Sequence, residues 1–150
     1  MLRRAAADDA AAVRALTRAA YAKWVPLIGR EPLPMQADYE RAVREHRIDL
    51  ASLDGALAGL IETIVQSDHL LIENVAVAPA FQGHGLGRRL MAHAEGLAQQ
   101  QGHAEARLYT NARFVENIAL YRRLGYRIDR EEESALGVTV YMSKRLGEQT

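Results

Sequence analysis

The sequence predicts an α+β domain, three layers deep, with a mixed and mostly antiparallel central sheet covered by helices on both faces. Three observations predict it. Strand-like segments at 49–53, 56–65 and 69–77 are separated only by the short turns Asp54-Gly55 and Gln66-Ser67-Asp68, which makes an antiparallel meander. A glycine-rich turn and an amphipathic helix then lead from the third strand to another short one, a crossover that makes this pair parallel. Helical apolar spacing recurs both before and after the meander, so each face of the sheet has a helix to cover it. At 150 residues the chain is long enough for one domain with a real core, spanning 1–150.

Taken in order, Leu2–Ala5 is a short strand, and Asp8 or Asp9 is expected to cap the helix that follows. Val13, Leu16 and Ala20 recur at helical spacing through Ala10–Ala22, and Pro26 and Gly29 are expected to end that helix. The segment 24–35 holds three of the four prolines and reads as an ordered loop, too apolar for a solvated linker. Asp38 caps a second helix reaching about His46, with Tyr39, Ala42 and Val43 inward. After the meander, Leu86, Leu90, Ala94, Leu97 and Ala98 form one apolar stripe of a helix from Gly85 to Gln101, stopped at Gly102. Arg107–Thr110 is a strand, Asn111–Glu116 a loop and Asn117–Leu124 a short helix stopped at Gly125. Tyr126–Arg130 and Val138–Lys144 are the last strands, joined by an acidic turn, and Gly147–Thr150 is a frayed tail.

Composition excludes several classes. Basic and acidic residues number 19 each, so there is no electrostatic footprint of a nucleic-acid binder. There is no cysteine, which removes disulfides, thiolate metal sites and thiol nucleophiles and fits a reducing compartment. The five histidines lack ligand spacing, and no metal is expected. No apolar run is long enough to span a bilayer. Met1-Leu2-Arg3-Arg4 is followed by no apolar core, and Asp8 and Asp9 argue against a transit peptide, so a cytoplasmic protein without membrane partners is expected.

Two motifs carry chemistry. Gln82-Gly83-His84-Gly85-Leu86-Gly87-Arg88 lies between the third strand and a helix. First-turn amides of a helix have no internal partner, and together with the helix dipole they seat an anion such as a pyrophosphate. A plain strand-to-helix turn is the alternative. The G-x-G-x-G spacing is not that of a dinucleotide-binding loop, and no Gly-Lys-Ser/Thr is present for a Walker loop. The second motif is Asn117-Ile118-Ala119-Leu120-Tyr121-Arg122-Arg123-Leu124-Gly125-Tyr126, which puts the Asn117 amide and the Tyr121 phenol on one side of a helix.

Together these motifs resemble the GNAT family of N-acetyltransferases. The loop matches that family's Q/R-x-x-G-x-G/A pyrophosphate motif at Gln82, Gly85 and Gly87, and 117–126 is similar to its second acetyl-CoA motif. The order of elements is similar from end to end. The resemblance implies the acyl-CoA N-acyltransferase fold and acetyl-CoA as cosubstrate. It implies that the strand before the loop splays from its neighbour, so that Val75, Ala76 and Val77 offer backbone groups to the pantetheine arm. It places the pyrophosphate on amides from Gln82 to Arg88, with His84 either exposed or on a phosphate, Asn117 on the cofactor arm, and Tyr121 near the sulfur as proton donor.

Transfer to an amine also needs a proton acceptor, for which Glu73 is the candidate, with Glu62 or a water in its place as alternatives. The Val75 amide could polarise the thioester carbonyl. Tyr21, Trp24 and Tyr39 flank the proline-rich segment and are expected to line the acceptor pocket or to pack in the core. The expected function is direct acetyl transfer from acetyl-CoA to a primary amine of a small molecule or peptide. A non-catalytic acyl-CoA-binding or sensory module, or an unrelated phosphate-binding protein, are the competing readings. Either a monomer or a homodimer is compatible.

Overall fold

The computed structural model describes residues 2–147. Seven strands form one sheet in the order β1-β2-β3-β4-β5-β7-β6. The strands are β1 (Leu2–Arg4), β2 (Arg47–Leu53), β3 (Ala56–Val65), β4 (Leu70–Val77), β5 (Glu105–Asn111), β6 (Arg127–Ser134) and β7 (Gly137–Arg145). All neighbours are antiparallel except β4 and β5. The meander is β2-β3-β4. Its first turn has positive φ at both central residues, 51° at Asp54 and 79° at Gly55, as a two-residue hairpin requires.

Helices α1 (Ala10–Tyr21) and α4 (Tyr39–Glu45) cover one face, burying Val13, Leu16 and Tyr39 against Ile48, Leu50, Leu60 and Ala76. Helix α5 (Leu86–Gln100) covers the other, burying Leu86, Leu90, Met91, Ala94 and Ala98 against Ile61, Ile72, Leu108 and Met142. Leu97 is only partly buried, and Met91 takes its place in the stripe. Helix α6 (Val115–Arg123) packs Ile118 and Tyr121 on the same cluster.

Several local expectations change. Asp9 does not cap α1. Its carboxylate turns back to accept from the Ala6 amide at 2.8 Å and to hold the Arg3 guanidinium, closing a 3-10 turn at Ala7–Asp9. Those contacts hold its pKa well below the usual carboxylate range. Pro26 does not end a helix. Segment 24–35 contains two single turns, α2 (Val25–Ile28) and α3 (Leu33–Gln36), each with proline in the first turn, where no N–H is needed. Gly29, at φ 76°, stops α2. Asp38 does cap α4, accepting from the Arg41 amide at 3.1 Å.

Helix α6 starts at Val115 rather than Asn117. The Asn111 side chain accepts from the Arg113 amide and its carbonyl from the Phe114 amide, so the chain turns early. The acidic run 131–133 is strand, not turn. The reversal lies at 135–136, where Ser134 Oγ accepts from the Leu136 amide and Gly137 takes φ 111°. Of the tail expected from Gly147, residues 148–150 lie outside the described residues.

Two irregularities shape the centre of the sheet. Strand β4 pairs with β5 only at Leu70, Leu71 and Ile72, after which the two diverge. On its other side Glu62 pairs with Asn74 but Thr63 with Ile72, so Glu73 is an extra residue, a β-bulge. The bulge shifts the alternation. Leu70 and Ile72 face α5, whereas Ala76 faces α1.

Gly59 on β3 brings the start of α5 close to the sheet. A methyl there would lie 3.0 Å from Leu86 Cδ2 and 3.1 Å from the Ala76 carbonyl oxygen. Gly59→Ala is therefore expected to destabilise the fold by about 1–3 kcal/mol in urea titrations, an overpacking cost. Unchanged stability would mean that α5 is not seated on β3 as described.

Candidate active site

The divergence of β4 and β5 opens a slot with the glycine loop on one side and a deep cleft on the other. In the loop, Gly83 and Gly85 both have φ 82°, and a Cβ at either would point into open space. That conformation disfavours other residues and leaves room for close approach to the backbone. Gly87 lies in the first turn of α5, where a Cβ would make ordinary contact with Leu120. Helix α5 has no side-chain cap, and its first intrahelical bond runs from Arg89 N to Gly85 O. The amides from Gly83 to Arg88 have no hydrogen-bond partner among the described residues.

Gln82 differs, because its amide makes a long bond of 3.4 Å to Pro79 O. Its side chain ties the loop to its surroundings, donating to Val77 O at 3.0 Å and accepting from Lys23 at 3.3 Å. His84 and Arg88 are exposed. Six free amides at a helix N-terminus fit a pyrophosphate.

Along the open edge of β4, the backbone is partly engaged. Val75 O receives the Tyr21 phenol at 3.3 Å, a second and weaker acceptor beside Asn74 Oδ1 at 2.8 Å. Asn74 continues the network, donating to Thr17 and to Tyr39, whose own hydroxyl donates to Pro34 O at 2.6 Å. Helices α1 and α4 are thereby pinned to the strand just past the bulge.

Across the slot, Tyr121 is held by the way α6 ends. Tyr126 N bonds Tyr121 O and Gly125 N bonds Arg122 O, with Gly125 at φ 100°, the pairing of a Schellman stop. The stop sets Tyr126 edge-on to Tyr121, ring centroids 6.2 Å apart. Tyr126 donates to Glu95, which also takes Lys144 at 2.8 Å. The Leu-Gly-Tyr sequence thus clamps the Tyr121 ring. Burial pushes the Tyr121 phenol up to about 12, so it stays protonated at neutral pH. It lies close enough to Tyr21 to add to the rise that burial causes in that phenol. Asn117 is half-buried on α6, and its side chain makes no hydrogen bond to another described residue.

The cleft on the α1 side has a volume of about 560 Å³. That is the size of a site for a small molecule. It is lined by Tyr21, Tyr39, Glu62, Glu73 and Asn74, with Tyr109 and His46 at its acidic end. Glu62, 4% exposed, lies 2.6 Å from His46 Nδ1. Burial raises its pKa, the His46 contact opposes the rise, and the nearby Glu73 charge adds to it. Glu73 accepts from the Tyr109 phenol at 2.7 Å. Two carboxylates thus converge beside the bulge.

Trp24 is not brought to the cleft. It is buried and stacks on Phe114 at 4.6 Å, and Phe114 presents itself to the cavity instead. Tyr109, His46 and Phe114 were not singled out from the sequence. Asn74, an amide beside Glu73 in a mostly apolar strand, is the one of the cleft's other polar residues whose setting in the sequence signals a buried role.

This arrangement, a splayed strand pair between a helix-capped glycine loop and an acidic cleft, defines the acyl-CoA N-acyltransferase fold. The model of the acetyltransferase (GNAT) family matches residues 12–126, and the chain belongs to that family. Among curated proteins, it is similar to the streptothricin acetyltransferase of Streptomyces lavendulae, 36% identical over 75 residues, 49% of this chain and 40% of that protein. It is also similar to the mycothiol acetyltransferase of Clavibacter sepedonicus, 35% identical over 127 residues, 81% of this chain and 40% of that one. The chain therefore spans well under two thirds of the length of these curated relatives. The crystal structure of the PaiA N-acetyltransferase of Thermoplasma acidophilum in complex with coenzyme A superposes with a TM-score of 0.83 at 18% identity, covering 97% of this chain and 98% of that one. Among the described residues, no helix is long and apolar enough to cross a membrane.

If Glu62 is the group whose ionisation matters, the acid limb of kcat/KM for acetyl transfer should lie above its ordinary value of 4.5. Deprotonation switches it on, so the rate rises with pH through that limb. Glu62→Gln should remove the limb, and Glu73→Gln, which deletes a like charge, should move it to lower pH. A limb unaltered in both variants would assign it to another group.

Proposed function

We propose that this protein transfers an acetyl group from acetyl-CoA directly to a primary amine, of a small molecule or a peptide. The observation that carries the reading is the β4–β5 divergence. The opening it leaves lies between unbonded loop amides and a cleft lined by Glu62 and Glu73, which supports the reading. The amides of Gly83 to Arg88 would hold the pyrophosphate, and Val75, Ala76, Val77 and Asn117 the pantetheine arm. Acetyl-CoA supplies an activated acyl carbon and a thiolate leaving group.

The chain's residues supply the rest. Glu73 and Glu62 receive the proton that the substrate ammonium must lose before its lone pair can attack. His46, at the mouth beside Glu62, leads that proton to solvent. The new C–N bond forms as the C–S bond breaks, with a β4 amide such as that of Val75 facing the developing oxyanion. Tyr121 donates its hydrogen bond to the departing sulfur. A phenol near 12 is a weaker acid than an ordinary thiol at about 8.5, so Tyr121 stabilises the leaving sulfur through its hydrogen bond, and the thiolate is protonated by the second proton that the nitrogen sheds as the amide forms. No thiol is available for an acyl-enzyme, which supports direct transfer. The absence of cysteine also supports a reducing, cytoplasmic setting.

The test follows CoA release with acetyl-CoA and a panel of primary amines, and measures acetyl-CoA affinity by calorimetry. Wild-type protein should bind acetyl-CoA and release CoA only when an accepted amine is present. Tyr121→Phe should lower kcat by about 100-fold with cofactor affinity unchanged. Tight acetyl-CoA binding with no acetylated amine would favour a binding module instead. Undiminished turnover in Tyr121→Phe would remove Tyr121 from the reaction.

A further inference from the structure

The cleft is acidic where β4 bulges, but its opposite wall carries an uncompensated cation. Of the cations that line it, Arg41 pairs with Glu45 and His46 with Glu62. Among the described residues, Arg30 has no carboxylate within ion-pair distance. Its guanidinium instead donates to two main-chain carbonyls, Nη1 to Glu31 O at 3.1 Å and Nη2 to Leu136 O at 2.7 Å. Carbonyls hold the planar group in place without neutralising it, and further N–H donors remain. Arg30 is therefore a fixed and unspent anion receptor in the wall of a small cavity.

Its position relative to the carboxylates can be gauged along β7. Tyr109, which marks Glu73, pairs with Tyr141. Leu136, which marks Arg30, lies in the turn five residues before Tyr141. At about 3.3 Å per residue, roughly 16 Å of strand separates the two levels. Ile28, Leu33 and Phe114 line the cavity as apolar wall. The cavity thus combines a carboxylate end for an ammonium, an apolar wall and a guanidinium.

We propose that the acceptor is a primary amine joined by an extended apolar spacer to an anionic group, and that Arg30 selects it by pairing with that group. This rests on the reading of the cleft as the amine site of an acetyltransferase. Neutral amines of the same length would leave the guanidinium without its partner and bind more weakly. Arg30 is here a specificity residue, remote from the reacting atoms.

The test uses the full chain and ω-amino carboxylates from β-alanine to 12-aminododecanoate, a series long enough to cross that gap, each paired with its primary amide. Binding is measured by calorimetry and acetylation by product formation, for wild type, Arg30→Gln and Arg30→Lys. The best carboxylate should bind wild type at least about tenfold tighter than its amide, as expected for a charge-assisted hydrogen bond. Arg30→Gln should bring that ratio to near one with amide affinity unchanged, and Arg30→Lys should retain part of it. A wild-type ratio near one overturns the proposal. So does an equal weakening of both partners in Arg30→Gln, which would show that the residue only ties its loop to Leu136. If Arg30→Gln does not fold, the wild-type ratio decides alone. A preserved ratio without acetylated product from any pair would sink the transferase reading and leave the anion selectivity standing.

Discussion

One extra residue in β4 is the constraint on which the site depends. Without Glu73 as a bulge, strict alternation would put Asn74 and Ala76 on the α5 side with Leu70 and Ile72. The Asn74 amide would then face an apolar cluster with no polar partner, a cost of about 1–3 kcal/mol for a buried unsatisfied group. With the bulge, Asn74 meets Tyr21, Thr17 and Tyr39, and helices α1 and α4 acquire a polar tie to the centre of the sheet. The same irregularity sits where β4 leaves β5, so strand pairing ends and a slot begins at one point in the chain.

The slot has two sides with different chemistry. On the α5 and α6 side, glycine conformations and an uncapped helix leave amides for an anion, and a Schellman stop fixes a tyrosine beside the opening. On the α1 and α4 side, carboxylates and phenols occupy a cleft whose outer wall is closed by Arg30 on the β6–β7 turn. Glu62 and Glu73 meet at the bulge, and the Tyr121 phenol lies within electrostatic reach of Tyr21. Each support is secondary structure or a bonded side chain: Tyr121 by Tyr126, Glu95 and Lys144, and Glu73 by Tyr109.

Much of the sheet was legible because local signals and tertiary demands agreed. Asp54-Gly55 asks for positive φ and has it, and the apolar run 56–65 is a strand over its whole length. The errors fall where a side chain chose a partner that spacing does not reveal. Asp9 turned back to Arg3, Asn111 started α6 early, and prolines opened single turns rather than closing helices. The cofactor side of the site was legible because glycines and a helix start are local. The acceptor side was legible only in part: Tyr21, Tyr39, Glu62 and Glu73 line the cleft as expected, but Tyr109 comes from a strand and His46 and Arg30 from connecting segments far apart in sequence, and what they meet follows from tertiary packing. Trp24 shows the converse, an aromatic beside the right loop that turned into the core against Phe114.

In the proposed reaction, loop amides grip the cofactor diphosphate and lead its thioester to the Glu73–Tyr121 gap. Backbone amide NMR during titration with acetyl-CoA, with ADP and desulfo-CoA as controls, reports on those contacts residue by residue. The largest shifts should fall on Gly83 to Arg88 with all three ligands, and should extend to Val75, Val77 and the α6 amides around Asn117 and Tyr121 only with the two that carry the pantetheine arm. Unperturbed amides between Gly83 and Arg88 at saturating acetyl-CoA, with the main shifts elsewhere on the surface, would contradict the account.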